Sequence, residues 1–484
     1  MNDLIYVSSV KVYTIIILTV GFSWLISGKE WDNSVTKSSE NNGEPTVAGH
    51  PVLENLSSEP GIVEVELTTS RERITLISGF ETNVYAYNGR IPGPMLEASE
   101  GDSVIVHFRN DLPEETTVHW HGIHLPFVMD GSPFHPVDSG DTFTIPSESI
   151  PVLPEPYHPH PHHRTAWQVG MGLYGGIIIR DPDDPLPDTL TEHLLILSDY
   201  RFDENGQIEF AEPGSRQERI DDMNGREGDV LFVNDEIMPE LSIRSGEVQQ
   251  WRIANASGAR IYRLGLEGHK FIHIGSDGGF FEYPIETDEI VLANGERAEL
   301  LVHGTGEPGS EVTLQTLPYD RYMPMWRPSD WNETLDLLTL QYTNESPADT
   351  NFELPETLRK IPKLKEEDAT KTRIMHMTNG MINSKTMDMN RVDEVADLGT
   401  TEIWDIRNLV GMDHPFHLHG FQFQVIDRNG ESVPQRKWKD TVNVPGFESA
   451  RFIVRYNNYP GKWMFHCHIL DHEDLGIMGV LEVK

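Results

Sequence analysis

The chain has 484 residues, 38% of them apolar and 24% charged, which suits about three domains with a sizeable core and excludes a wholly disordered chain. Its 77 acidic side chains against 38 basic ones leave a formal charge of −39, which excludes a protein that tracks nucleic-acid phosphates and disfavours docking on anionic lipid. A single cysteine, Cys467, excludes any disulfide within the chain, whereas histidine is abundant at 21.

From Val12 to Gly28 no residue is charged, and Lys11 and Lys29 bracket the run. Seventeen residues is short for a membrane span and long for the apolar core of a secretion signal, so residues 1–28 are expected to be a signal peptide or a retained N-terminal anchor. Residues 29–60, rich in Ser, Asn, Glu and Gly, read as a flexible tether. The expected location is extracytoplasmic: periplasmic, secreted or anchored at the cell surface.

Beyond Gly61, stretches such as Val104 to Phe108, Glu299 to Val302 and Phe452 to Val454 alternate with turn signals, and long helical periodicity is scarce. The expected class is all-β. A short pattern recurs three times: Gly101-Asp102 leads to Arg109-Asn110, Gly246-Glu247 leads to Arg252-Ile253-Ala254-Asn255, and Gly399 leads to Arg407-Asn408. The Asn positions fall 145 and 153 residues apart. With the length, this predicts three β-sandwich domains of similar build, over 61–185, 186–345 and 371–484, with a polar, Pro-containing linker at 346–370.

Four His-x-His pairs carry the chemistry: His119/His121, His158/His160, His417/His419 and His466/His468. Residues two apart on a strand point the same way, so each pair aims two imidazoles at one place, as a metal site requires. Two pairs fall in the first predicted domain and two in the last, the pattern of a cluster held across a domain interface, and eight imidazoles suit three ions better than one. Cys467, between His466 and His468, faces the other way. His414 lies an odd number of positions from His417 and tends to that same side, and His472 follows Cys467 by five residues. Two imidazoles and one thiolate form a trigonal set that selects copper for one-electron chemistry.

These motifs, with Asn88-Gly89-Arg90-Ile91-Pro92-Gly93-Pro94 and the run from His466 to Gly476, resemble the three-domain multicopper oxidases, the family of laccases, bilirubin oxidases and bacterial cuprous oxidases. The resemblance implies three cupredoxin-like Greek-key β-sandwiches and four coppers per chain: one type 1, one type 2 and two type 3. It implies His414, Cys467 and His472 as type 1 ligands, and His119 and His417 on the type 2 copper. His121, His158, His160, His419, His466 and His468 would then hold the type 3 pair. The implied reaction takes single electrons from a small reducing substrate and reduces dioxygen to water. Asp130 and Glu473 match acids that supply protons in bacterial members. A monomer is the implied state.

Departures from the family pattern narrow the reading. Ile477 stands at the axial position of the type 1 site and is expected not to ligate, with Met478 beside it pointing away. Losing a thioether ligand favours the reduced state and raises the potential. Pro154-Glu155-Pro156-Tyr157 leads untypically into His158, and His162 and His163 follow His160 as a His-rich tract. His269, His273 and His303 are expected to be structural. Met323, Met325, Met375, Met377, Met381, Met387 and Met389 are scattered, Met412 matches a family thioether near the substrate copper, and Val410 replaces its acidic partner. A laccase-like oxidase of phenols is therefore expected, with oxidation of Cu(I), Fe(II) or Mn(II) as the alternative. A copper-free scaffold relative would have lost ligands, and every ligand position is filled here.

Overall fold

The computed structural model describes residues 50–147, 154–324, 327, 331–348 and 352–484. The apolar run Val12 to Gly28, the tether as far as residue 49, linker residues 349–351 and Met325 lie outside them. Among the described residues no helix is long and apolar enough to cross a membrane. The segment from His50 lies against the body of the protein: His50 Nε2 donates to the Gly93 carbonyl (3.0 Å) and the Leu53 amide to the Met95 carbonyl (2.8 Å).

The described chain folds as an all-β protein of three two-sheet sandwiches. In the first, one sheet runs Thr82–Tyr87, Ile62–Ile74, Ser103–Asn110, Thr142–Ser147 and the other Gly93–Ser99, Gly175–Arg180, Pro154–His158, His119–Trp120. Burial alternates along Ser103–Asn110, so Val104, Val106 and Phe108 face Leu96, Trp120, Tyr157 and Ile177 of the opposing sheet. In the middle sandwich, Leu195, Trp251, Phe271 and Leu300 pack against Tyr262, Leu264, Leu314 and Leu340. In the last, Trp404, Phe423 and Phe452 pack against Phe416, Trp463, Phe465 and Leu481.

The repeated sequence pattern has a structural cause. Ser103–Asn110, Val248–Asn255 and Thr401–Asn408 are strands of equal length, each paired in parallel with the strand that opens its sandwich. Before each stands a glycine with φ of +93°, +82° or +84° (Gly101, Gly246, Gly399), a turn that side chains resist. At each far end the buried Asn ties down the next turn. Asn110 Nδ2 donates to the Glu114 and Val137 carbonyls, Asn255 Nδ2 to Arg260 and Leu292, and Asn408 Nδ2 to Met412 and Val444, while each Oδ1 accepts the amide two residues on. The third of these turns leads into His414.

Apolar contacts join the sandwiches. Val84 and Tyr174 meet Leu194 and Phe232 at the first junction, where Leu470 of the last sandwich also packs. Linker residues Phe352, Leu354 and Leu358 cover the middle sheet beside Ile274 and Leu301.

Candidate metal centres

Strand pairing brings the imidazoles together. His119 pairs directly with His158 across one sheet of the first sandwich, and His417 with His466 across one sheet of the last. Docking of the two sheets stacks His119 on His419 and His121 on His417, with ring centroids 4.0 Å apart in both cases. His160 Nε2 and His419 Nε2 lie 3.2 and 3.0 Å from His466 Nε2, and His468 Nε2 lies 3.3 Å from His121 Nδ1. All eight predicted cluster imidazoles are buried in this one place. His162 and His163 stack on each other instead, with His163 Nδ1 donating to the Asp474 carbonyl (2.6 Å).

The outer nitrogens settle what the inner ones offer. His119 Nδ1 donates to the Asp130 carbonyl (2.7 Å), His158 Nδ1 to Pro159, and His417 Nδ1 to the Asp440 carbonyl (3.0 Å). A neutral ring that donates from Nδ1 keeps a bare lone pair on Nε2. Those three Nε2 atoms are buried and have no hydrogen-bond partner among the described residues. Lone pairs crowded face to face repel one another unless a cation sits among them, and imidazole suits copper, so the residues fit the metal the sequence implies. Three-residue groups with ligand atoms within 4.8 Å of one another include His160/His419/His466, His119/His121/His158 and His119/His417/His419.

Three buried carboxyl groups surround the cluster. Asp130 Oδ2 lies 2.9 Å from His419 Nδ1, and burial raises its carboxyl to about 8. Asp130 also shapes the turn at Gly131, where an added Cβ would strike the Val118 carbonyl. Glu473 sits between His160 Nδ1 (3.4 Å) and His466 Nδ1 (3.3 Å), and burial, then the neighbouring Asp474, push it well above the usual carboxylate range. Asp440 is the third, which the sequence reading missed. Its Oδ1 accepts from His121 Nε2 (3.0 Å) and Thr441 Oγ1 (2.8 Å), and Arg297 of the middle sandwich grips both oxygens (2.9 and 2.6 Å). Burial pushes Asp440 up, but Arg297 and His121 outweigh it and hold the carboxyl well below its usual range.

The middle sandwich, free of His-x-His pairs, therefore closes the cluster. Beside Arg297, Gly295 lies against the His468 ring with φ of +76°, and a Cβ there would come within 2.8 Å of ring atoms. The only sequence signal for these residues was a charged Glu296-Arg297 pair ahead of the apolar strand residues Leu300 to Val302, and a lone Asp440 after Lys439.

A second group lies on the opposite face of Cys467. His414, Cys467 and His472 bring ligand atoms within 4.8 Å of one another, with Cys467 Sγ 3.8 Å from His472 Nδ1 and the two rings 5.2 Å apart. Burial pushes the Cys467 thiol up to about 12 and His414 down to about 4, so without metal this trio is neutral and a bound cation must displace the thiol proton. Ile477 packs in the same core cluster as Cys467, and the Cys467 amide donates to its carbonyl (3.0 Å). Met478 lies opposite His466 in the ladder and packs elsewhere, with Met464 and Val480.

The buried imidazoles make acid stability a test of this geometry. Burial holds His158 and His414 near 4, against 6.5 for a free imidazole. Between those values the unfolded chain binds more protons, so stability is full above 6.5 and is lost as pH falls, by about 3 kcal/mol for each of the two. Asp130 and Glu473, with raised values, work in the opposite direction, but burial also lowers seven further imidazoles, those of His119, His121, His160, His419, His466, His468 and His472. The urea midpoint of metal-free protein is expected to fall between pH 7 and pH 5; a midpoint that rises would contradict the buried neutral cluster.

Profiles of the multicopper oxidase family match residues 68–184, 192–310 and 355–484. A protein described as multicopper oxidase mco from Staphylococcus aureus is 31% identical over 455 residues, spanning 91% of this chain and 93% of its own. A solved multicopper oxidase from Campylobacter jejuni, described as a metallo-oxidase, is 35% identical with a TM-score of 0.82, covering 90% of this chain and 94% of that one. A laccase structure from Pediococcus acidilactici is 31% identical with a TM-score of 0.80, covering 93% and 95%. The chain belongs to the multicopper oxidase family and is a copper-dependent oxidoreductase that uses dioxygen as acceptor.

Proposed function

We propose that the protein is a laccase-like oxidase of phenols or similar one-electron donors, with four coppers per chain. His414, Cys467 and His472 would hold the type 1 copper, and Ile477, packed beside Cys467, would not ligate it. His119 and His417 hold the type 2 copper, while His160, His419 and His466 hold one type 3 copper and His121, His158 and His468 the other. Bound copper supplies one-electron oxidation at the Cys467 site and dioxygen reduction at the cluster. The chain's own part begins with the backbone of His466-Cys467-His468, which joins the two sites covalently. Asp130, held against His419, and Glu473, held between His160 and His466, keep protons beside the place where oxygen is reduced, while Asp440 fixes the ring of His121. The domains run over 61–185, 186–345 and 371–484, and the protein works as a monomer outside the cytoplasm, a reading that rests on the uncharged run from Val12 to Gly28.

The observation that carries the donor class is the fate of the methionines. Met412 is buried with its sulfur taking a hydrogen bond from Arg321 (3.4 Å), and Met375 and Met377 are buried in the core, so none of these three offers a thioether to an incoming soft metal ion, whereas Met381 is exposed and Met387 and Met389 are half-buried. The two turns flanking the His414 strand instead expose Leu409 and Phe447, the latter 77% exposed, an apolar rim suited to an aromatic donor. Dioxygen uptake by the copper-loaded protein, corrected for spontaneous Cu(I) oxidation, is expected to be faster with a phenolic donor than with Cu(I). A preference for Cu(I) would favour metal-ion oxidation, and no uptake with either donor at full copper loading would point to a scaffold. Glu473→Gln keeps the shape but removes the proton, and is expected to slow turnover about a hundredfold with copper content unchanged; turnover at the wild-type rate would remove Glu473 from the proton path.

A further inference from the structure

A cavity of about 450 Å³ lies between the middle and last sandwiches, separate from both groups of candidate ligands. Ile285, Ile290 and Val433 give it an apolar body. Four cationic side chains and an imidazole also line it: Arg297, which holds Asp440, then Lys437, Lys439, Arg428 and His273.

Their partners differ. Lys439 is neutralised by Asp277 (2.9 Å) and Glu296 (3.2 Å). Lys437 and Arg428 have no carboxylate partner among the described residues. Lys437 Nζ rests 3.8 Å over the Phe281 ring, and Arg428 donates only to the Asn443 carbonyl (2.6 Å). His273, tucked edge-on to Phe281, has a buried Nε2 with no hydrogen-bond partner among the described residues. Glu448, the other acid on the lining, forms no ion pair with either cation among the described residues.

Two cations without an ion-pair partner at one cavity are unexpected in a chain with a net charge of −39, because acidic partners abound. Burial, then the charge of Lys439, push Lys437 down to about 8, against an opposing pull from Glu296. The middle-sandwich histidine expected to be structural is one of the groups that would meet an anion there.

We propose that this cavity binds a small organic carboxylate, its head held by Lys437 and Arg428 with His273 Nε2 beside them and its apolar body lying against Ile285, Ile290 and Val433. An apolar slot capped by cations favours an aryl or alkyl acid over both a neutral molecule of the same shape and a bare inorganic anion. The inference is independent of the donor class proposed above.

Isothermal titration of the copper-loaded protein with benzoate tests it. One binding event is expected, weakened at least about tenfold in Lys437→Met and in Arg428→Gln, the loss of one charge-assisted hydrogen bond in each. Benzyl alcohol and inorganic phosphate are each expected to bind at least about tenfold more weakly than benzoate. Absence of benzoate binding overturns the proposal, as does unchanged affinity in both variants. Equal binding of benzyl alcohol would leave a plain apolar slot, and equal binding of phosphate a plain anion site, and either result overturns it too. Thermal melting establishes that each variant folds; if Lys437→Met does not, Arg428→Gln and the charge-conserving Lys437→Arg, which retains affinity, carry the test.

Discussion

Cys467→Ser is expected to abolish the blue absorption of the copper-loaded protein and to cut dioxygen uptake by more than the ~100-fold that loss of an outer-shell partner of a metal ligand costs. The exchange is nearly isosteric at a fully buried position, so the fold is expected to survive. What disappears is the soft donor. A serine hydroxyl does not become an anion near neutral pH, and His414 and His472 alone make a weak site for the oxidised metal. The eight cluster imidazoles keep their geometry, since they lie on the other face of the strand Gly461–Cys467. Copper analysis is therefore expected to find the cluster complement retained with the visible absorption gone. Oxidase activity that persists in this variant would show that electrons enter elsewhere.

Asp440→Asn is expected to destabilise the protein by about 3–5 kcal/mol and to strip the cluster of copper while sparing the blue site. Arg297 and Asp440 are each almost fully buried, so neutralising the carboxylate breaks a two-point buried ion pair and leaves the guanidinium less well compensated, with Asp277 at 3.8 Å. The second effect acts through tautomers. A carboxylate forces His121 to carry its proton on Nε2, which leaves Nδ1 bare and aimed at His468. An amide can turn its NH2 toward Nε2 and move the ring proton to Nδ1, where it blocks a metal. Copper affinity at the cluster is expected to drop about 10–100-fold. Copper stoichiometry together with thermal melting checks both claims, and adding Arg297→Met to the variant is expected to recover part of the lost stability by removing the charge that Asp440 had neutralised. A single variant with wild-type melting and full copper would show that the Arg297–Asp440–His121 chain is incidental.

Much of this site was readable without coordinates because strand alternation is a strict local rule. It puts both histidines of a pair on one face and Cys467 on the other, and it puts His414 out of phase with His417. The threefold repeat was readable for a related reason, since the Gly-to-Asn strand is a self-contained unit whose Asn binds its own turn. Asp440, Arg297 and Gly295 follow no local rule. Arg297 meets Asp440 across 143 positions of chain and Asp440 meets His121 across 319, so their roles exist only once the sandwiches dock. The cavity at Lys437 and His273 was invisible for the same reason, because neither wall encloses anything alone. Asp130 lay between the two cases: its spacing from His121 is local, but its carboxyl reaches His419 only across the junction.

That long reach also fixes the order of events in the protein's maturation. No stretch of chain shorter than the span from His119 to His468 contains the full set of cluster imidazoles, and Asp440, which braces His121, is itself held by Arg297 of the middle sandwich. A nascent chain thus holds the four imidazoles of the first sandwich before the four of the last exist to face them. Metal loading of the cluster must follow completion of all three sandwiches and their docking, so the copper content of a preparation reports how much of it has finished assembling.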